Sequence, residues 1–296
     1  MQAALIRRGR GGIVLALILA LTALWPARIV AQDAAQDRAA RMALLMDVMG
    51  LPEIVVIMRE EGLLYGADLG GDMLPGGGGA SWRGLVSRIY DSARMTESVG
   101  EGFVEAFGGA DPEPLIAFFQ GGTGAQIVAL EIAARRAFMD DAVEETAREA
   151  FRRTDPYFSD EIPHAIDPHQ LAIEAYVEAN DLIGFNVMGA MNANYQFYRG
   201  LIEGGALEMS EEEVLSDVWA QEEDTRAETR EWIYAFLMLA YEPLEPDQIN
   251  DYVDLSLTPS GRAMNRALFE GFDRMYGDLS RALGLAVAGQ MRGEEL

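Results

Sequence analysis

Apolar residues recur at helical spacing through most of this chain, and no stretch alternates with the period of two that a half-buried strand needs. The clearest stripe is Met264, Leu268, Phe272, Met275 and Leu279, which predicts one apolar face on a helix running to about Leu283. Just upstream, Ile249, Tyr252, Val253 and Leu255 predict a short helix. Glu245, Pro246 and Asp247 open it: proline suits the first turn, and acids favour the positive end of the helix dipole. Thr258-Pro259-Ser260-Gly261 breaks the run and starts the long helix, with Thr258 as cap and Pro259 as first residue. Gly261 lets the two helices meet closely at the corner. The predicted unit is a tight helical hairpin.

An earlier segment follows the same plan at a shift of 137 residues. Leu115 falls on Tyr252, Phe118 on Leu255, Gly124 on Gly261, Ile127 on Met264 and Phe138 on Met275. Upstream, Met95, Val99, Phe103 and Phe107 fall on Trp232, Phe236, Ala240 and Leu244. The matches are of apolar character rather than identity, and the shared helix, glycine corner, helix order points to a duplication. Trp82 also falls on Trp219, but their neighbours disagree, so that pair is set aside as chance.

The stretch from Leu244 to Arg262, an acidic helix with an aromatic and apolar pair followed by Thr-Pro-Ser-Gly, resembles the signature of the bacterial domain of unknown function 2059 family. The segment from Pro114 to Gln126 resembles it too, with Gly-Thr in place of Pro-x before Gly124. The resemblance implies an exported, all-helical bacterial protein with no assigned activity, and it carries no catalytic residue over.

The remaining pattern is read as follows. Helices are expected over residues 42–49 and 51–65, split by Gly50, with a flexible glycine-rich loop over 66–80. That loop could cradle a phosphate only with a strand ahead of it and a lysine or helix terminus aimed at the anion, and the sequence offers neither strand nor lysine. Residues 82–107 predict one or two helices broken near Gly100 and Gly102. A short helix over 111–120 and a long one over 125–153 follow, the latter with a charged face that includes Glu131, Arg135, Arg136, Glu144 and Arg148, taken as solvated. Asp155-Pro, Ile162-Pro and Asp167-Pro make residues 154–168 a linker. Beyond it, residues 171–200 read as helix with an interruption at Gly184, and Ile183, Val187, Met191, Tyr195 and Tyr198 share one face. Ser210 to Glu213 is a capping box for a helix through Trp219, Trp232 and Tyr241. The expected architecture is all-α: two related helical units, 32–153 and 169–290, packed as tandem hairpins into one elongated or bilobed bundle.

Composition adds an address. Arg7, Arg8 and Arg10, an apolar run from Ile13 to Leu24, and Ile29-Val30-Ala31 have the layout of a signal peptide over residues 1–31, cut after Ala31. The run is short for a membrane span, and no second run of spanning length follows, so the mature chain is expected in the periplasm or outside the cell, without stable membrane insertion. There is no cysteine and no lysine, and the net charge is −25. The first 31 residues hold four arginines and no acid, so their loss takes the charge to −29. Such a surface repels nucleic acid and anionic lipid.

Candidate chemistry narrows the function classes. Cysteine nucleophiles and lysine Schiff bases are excluded. His164 and His169, with Asp160, Glu161 and Asp167 nearby, are the only candidate zinc ligands, but no ligand spacing is matched and they read as loop histidines. No serine sits in a nucleophile elbow. No catalytic, cofactor or metal residue is therefore assigned. The leading expectation is a non-enzymatic binding or scaffold module of the cell envelope, partnered by an envelope protein. The second is a carrier of an apolar small molecule between the two units, against Met188, Met191, Tyr195, Trp232 and Phe236. The third is a carboxylate-based hydrolase, which needs one carboxyl of raised pKa in a cleft.

Overall fold

The computed structural model describes residues 36–154 and 167–293; the proposed signal peptide, His164 and most of the linker lie outside them. The described chain begins in a helix, α1 (residues 36–48). Leu45–Leu296 form one compact unit, and the contacts below lie within it. Helices follow as α2 (Leu51–Met73), α3 (Gly79–Ile89), α4 (Ser92–Phe107), α5 (Glu113–Gln120), α6 (Gly122–Ala137) and α7 (Asp141–Thr154). The second half supplies α8 (Pro168–Ala179), α9 (Leu182–Glu203), α10 (Glu211–Ala220), α11 (Glu222–Tyr241), α12 (Pro246–Leu257) and α13 (Pro259–Met291). No strand occurs among the described residues, so the protein is all-α.

The anticipated caps form. Thr258 Oγ1 accepts from Gly261 N at 3.0 Å with Pro259 opening α13. Ser210 and Glu213 exchange both bonds of a capping box, Glu213 Oε2 accepting from Ser210 N at 2.7 Å. Glu245 and Gln248 form a second one ahead of α12.

The two glycine corners share a geometry. A Cβ on Gly261 would collide with the Leu255 carbonyl oxygen and lie 2.7 Å from Ser256 Cα; one on Gly124 would collide with the Phe118 carbonyl oxygen. At each corner the residue three positions before the glycine donates its N–H to that same carbonyl, Thr258 to Leu255 and Gly121 to Phe118, both at 3.0 Å. The backbone angles agree as well, Thr258 at φ −70, ψ 161 and Gly121 at φ −86, ψ 167. The corners pack together: Tyr252 stacks on Phe118 at 5.6 Å and meets Phe119 edge-on at 5.8 Å.

α13 is the rod around which the unit is built, flanked along its length by α4 and α9. Both approaches rest on glycine pairs. A Cβ on Gly102 would lie 2.9 Å from Gly271 Cα, and one on Gly200 would lie 2.9 Å from Gly284 Cα. Backbones meet there because side chains are missing from both sides of the crossing.

Several expected breaks moved. α2 runs through Gly66 and Gly70 to Met73 instead of ending in a loop. Gly62, Gly66 and Gly70 lie one turn apart and face Tyr90, which caps α3, and Val86 and Trp82 within it, each large side chain filling the space a Cβ would take. Trp82 Nε1 donates to the Gly66 carbonyl at 2.6 Å, which fixes the register of the pair. Only Pro75–Gly78 form the turn between them, with Gly76 to Gly79 all at positive φ. α4 passes unbroken through Gly100 and Gly102, the break falling at Asp91, whose carboxylate accepts from Arg94 N at 3.0 Å. The long helix over 125–153 divides at Phe138 to Asp140, where Asp140 accepts from Ala142 N at 2.9 Å and starts α7. The interruption expected at Gly184 lies at Asp181, at φ 46, and the helix through Trp219 breaks at Gln221.

Candidate functional site

A cavity of about 1060 Å³ opens among α2, α4, α6, α9, α11 and α13. Its walls are aromatic. Trp232 and Phe236, one turn apart on α11, stack at 5.2 Å with planes 4° apart, and Phe138 meets both rings edge-on. On another wall Phe185 of α9 stacks on Phe269 of α13 at 4.5 Å. Phe272 and Tyr276 continue the α13 wall. Apart from the buried Phe138, these rings are only part-buried although helices surround them, because they line the cavity. Met188, 68 % exposed, stands at the mouth with Arg266 and Glu270, both exposed.

Two charged residues of α6 reach this space. Glu131 and Arg135 sit one turn apart and both line the cavity. They were expected on a solvated face; instead each has a partner far along the chain. Arg135 makes two bonds to the Glu61 carboxylate of α2, at 3.0 and 2.8 Å, and Tyr276 lines the same wall. Glu131 Oε1 accepts from the Tyr241 hydroxyl at 2.5 Å. Burial pushes the Glu131 carboxyl up to about 7, against the Tyr241 bond, which acts the other way. Arg135 does not offset that rise, because Glu61 already matches its charge.

Behind Glu131 lies a buried phenol cluster. The Tyr176 ring lies against that of Tyr252, with centroids 4.6 Å apart, and meets Tyr241 edge-on at 5.9 Å. Burial and the nearby Glu131 charge hold all three phenols far above their usual range. His169 Nε2 meets the Tyr241 carbonyl at 2.9 Å. The histidine read as a candidate ligand therefore props the backbone of α11. No group of three metal-ligating side chains exists among the described residues.

Of the five residues expected to line an apolar site, Met188, Trp232 and Phe236 do so. Met191 and Tyr195 do not. Met191 packs with Val187, Val214 and Val218 in the core between α9 and α10, and Tyr195 lies against that cluster with its hydroxyl donating to Glu211 at 2.8 Å. Residues on one helix face can turn to different neighbours when the helix is packed on two sides. Asp273 was missed; it lines the cavity and accepts twice from Asn192, at 2.9 and 3.0 Å.

Another part of the presumed solvated face is an ion-pair network. Arg148, on α7, bonds Glu144 at 2.7 Å and Glu231 of α11 at 3.1 Å, and Arg152 adds a second contact to Glu231 at 3.3 Å. Arg148 and Glu231 are each 15 % exposed, so this network clamps α7 to α11 rather than facing a ligand. Among the described residues no single helix is long and apolar enough to cross a membrane; α5 and α6 pass that test only together, bent by 75°. Comparison of the chain with protein-family models, with curated proteins and with solved structures finds no match.

Proposed function

We propose that this protein is an exported, non-enzymatic binding protein of the bacterial envelope whose ligand is a small molecule with a substantial apolar body. The observation that carries the reading is the 1060 Å³ cavity walled by two stacked aromatic pairs. A volume of that size suits a molecule of drug or lipid dimensions, and a mostly apolar lining with few polar groups is the usual make-up of such sites. The amino-terminal signal peptide layout and the resemblance to the 2059 family support the export.

The duplicated plan belongs to the same reading. Its support is the matching backbone at the Gly124 and Gly261 corners, together with the exchange of partners between halves: α4 lies on α13, and α11 lies on α6. Halves related in this way interleave, and the cavity draws walls from both.

Native mass spectrometry of the protein, isolated gently from its own cell envelope, tests the carrier role. An additional non-covalent mass of lipid or metabolite size is the expected result. Gly189→Phe supplies the control, since a Cβ there meets only Asp273 Oδ1 at 3.9 Å and the ring fills the cavity. Loss of the mass in that variant locates the ligand. A bare wild-type chain that also takes up no added apolar compound would refute the carrier reading, and a second protein chain in its place would favour a scaffold.

Glu131 gives specific support to one other reading, a glycan-cleaving enzyme, because a carboxyl raised to about 7 in a cleft is what a general acid requires. Release of sugar fragments from cell-wall material, abolished in Glu131→Gln, would establish it in place of the carrier.

A further inference from the structure

The chemistry of the cavity wall says which end of a ligand goes where. Resting on the carrier reading, we propose that the cavity selects an apolar molecule with a single cationic head, of the alkylamine class, and seats that head against Glu131.

Three observations carry this. The first is the free oxygen of Glu131. Oε1 is taken by the Tyr241 hydroxyl; Oε2 has no hydrogen bond among the described residues, yet no enclosed side-chain oxygen there lacks a partner, so Oε2 opens onto the cavity. An acceptor of this kind, inside a low-dielectric wall, gains most from a charged donor. The second is the charge balance. Glu131, Glu270 and Asp273 face Arg135 and Arg266, and Arg135 is matched by the two bonds from Glu61. Arg266 and Glu270 are both exposed at the mouth, where water screens them equally, so Glu131 and Asp273 set the sign of the part-buried wall. The third is the ring pair. Trp232 and Phe236 line the cavity stacked on each other, so each ring keeps only its outer face free of the other, and aromatic faces attract cations and repel anions. The net charge of −25 adds a long-range pull of the same sign.

The groups around Glu131 make the binding pH-dependent. From α6 itself comes Arg135; from α2, Glu61; from α8, Tyr176 and His169; from α11, Tyr241; from α12, Tyr252; from α13, Arg266, Glu270, Asp273 and Tyr276. The phenols stay neutral at ordinary pH, Arg135 stays charged and paired, and the Glu131 carboxyl, pushed up to about 7, changes state near neutrality. A cationic head binds its ionised form, and complex formation at pH 6 must first release a proton.

Isothermal titration of the full-length mature protein with decylammonium, decanoate and decanol, at pH 8 and pH 6, decides the matter. The expected result is decylammonium binding at least tenfold more tightly than decanoate at pH 8. Its affinity should fall by about tenfold at pH 6, as one pH unit below the Glu131 midpoint dictates. Glu131→Gln should remove most of the decylammonium advantage over decanol and its pH dependence. Decanol binding that persists in the variant, together with a wild-type circular dichroism spectrum, shows that the variant is folded. Decanoate binding as tightly as decylammonium, or a decylammonium affinity indifferent to Glu131→Gln, would overturn the proposal while keeping the carrier reading. Failure of all three compounds to bind would overturn both.

Discussion

Glu131→Gln should make the protein more stable at alkaline pH, with a size that follows from burial. The folded carboxyl titrates near 7, and its ordinary value is 4.5. Between those values the folded state holds a proton that the unfolded chain has lost. Stability from this group is therefore complete below pH 4.5 and declines as pH rises toward 7, after which it is constant. The whole loss is about 3 kcal/mol, at roughly 1.4 kcal/mol per pH unit. Because the chain approaches its isoelectric point near 4.3, measurement belongs higher up, between pH 5.5 and 8.5, where about 2 kcal/mol of the loss falls. Glutamine keeps an acceptor for Tyr241 and has no charge to bury. Urea unfolding of both proteins at the two pH values gives the difference, in which every other titrating group cancels. The variant should gain about 2 kcal/mol on wild type across that range. A difference that stays flat with pH would show that Glu131 is solvated and ionises normally, and the buried wall described above would be wrong.

Further expectations follow from the packing. Gly261→Val and Gly124→Val should each destabilise by about 1–3 kcal/mol, seen as a lower melting temperature, since the added carbons meet backbone that cannot rotate away. Gly189→Ala, by contrast, should stabilise by up to about 1 kcal/mol, because its Cβ meets only Asp273 Oδ1, at an ordinary 3.9 Å, and alanine favours helix. Gly200→Leu should separate α9 from α13 and lower the urea midpoint more than Gly109→Leu, whose site is empty around it. Tyr241→Phe removes the donor that counteracts the burial of Glu131, so the pH dependence of stability should extend above 7; an unchanged midpoint would place the hydroxyl elsewhere.

The parts of this structure that sequence discloses are those decided locally. Thr258, Pro259 and Gly261 specify their corner within four residues, and Ser210 with Glu213 specifies a helix start in the same way. The glycines of α2 gave the opposite impression. Read alone, Gly66 and Gly70 argue for a loop; only the presence of Val86 and Trp82 opposite them shows that they receive a neighbouring helix. Gly102 misled for the same reason, with Gly271 of α13 opposite it. The division between α6 and α7 has no proline or glycine to announce it, and the apolar period continues across Phe138. The cavity was half legible: large apolar residues on α9 and α11 marked its wall, but a helix pattern cannot say which of Met188 and Met191 faces a neighbour. Glu131 and Arg135 were hidden because charges one turn apart look like a solvated face, while their partners Tyr241 and Glu61 lie 110 and 74 residues away.

The glycine crossings on α13 bear on how a ligand would enter. Phe269, Phe272 and Tyr276 flank Gly271, the point where α4 touches the rod backbone to backbone. A helix seated in that manner has no side chain to compress at the crossing, so the wall beside it resists moving inward when the space is unfilled. On the carrier reading, a ligand would meet a standing room rather than one folded around it. Association should then be quick and cost little ordering entropy, and the unfilled protein should differ hardly at all in shape from the filled one.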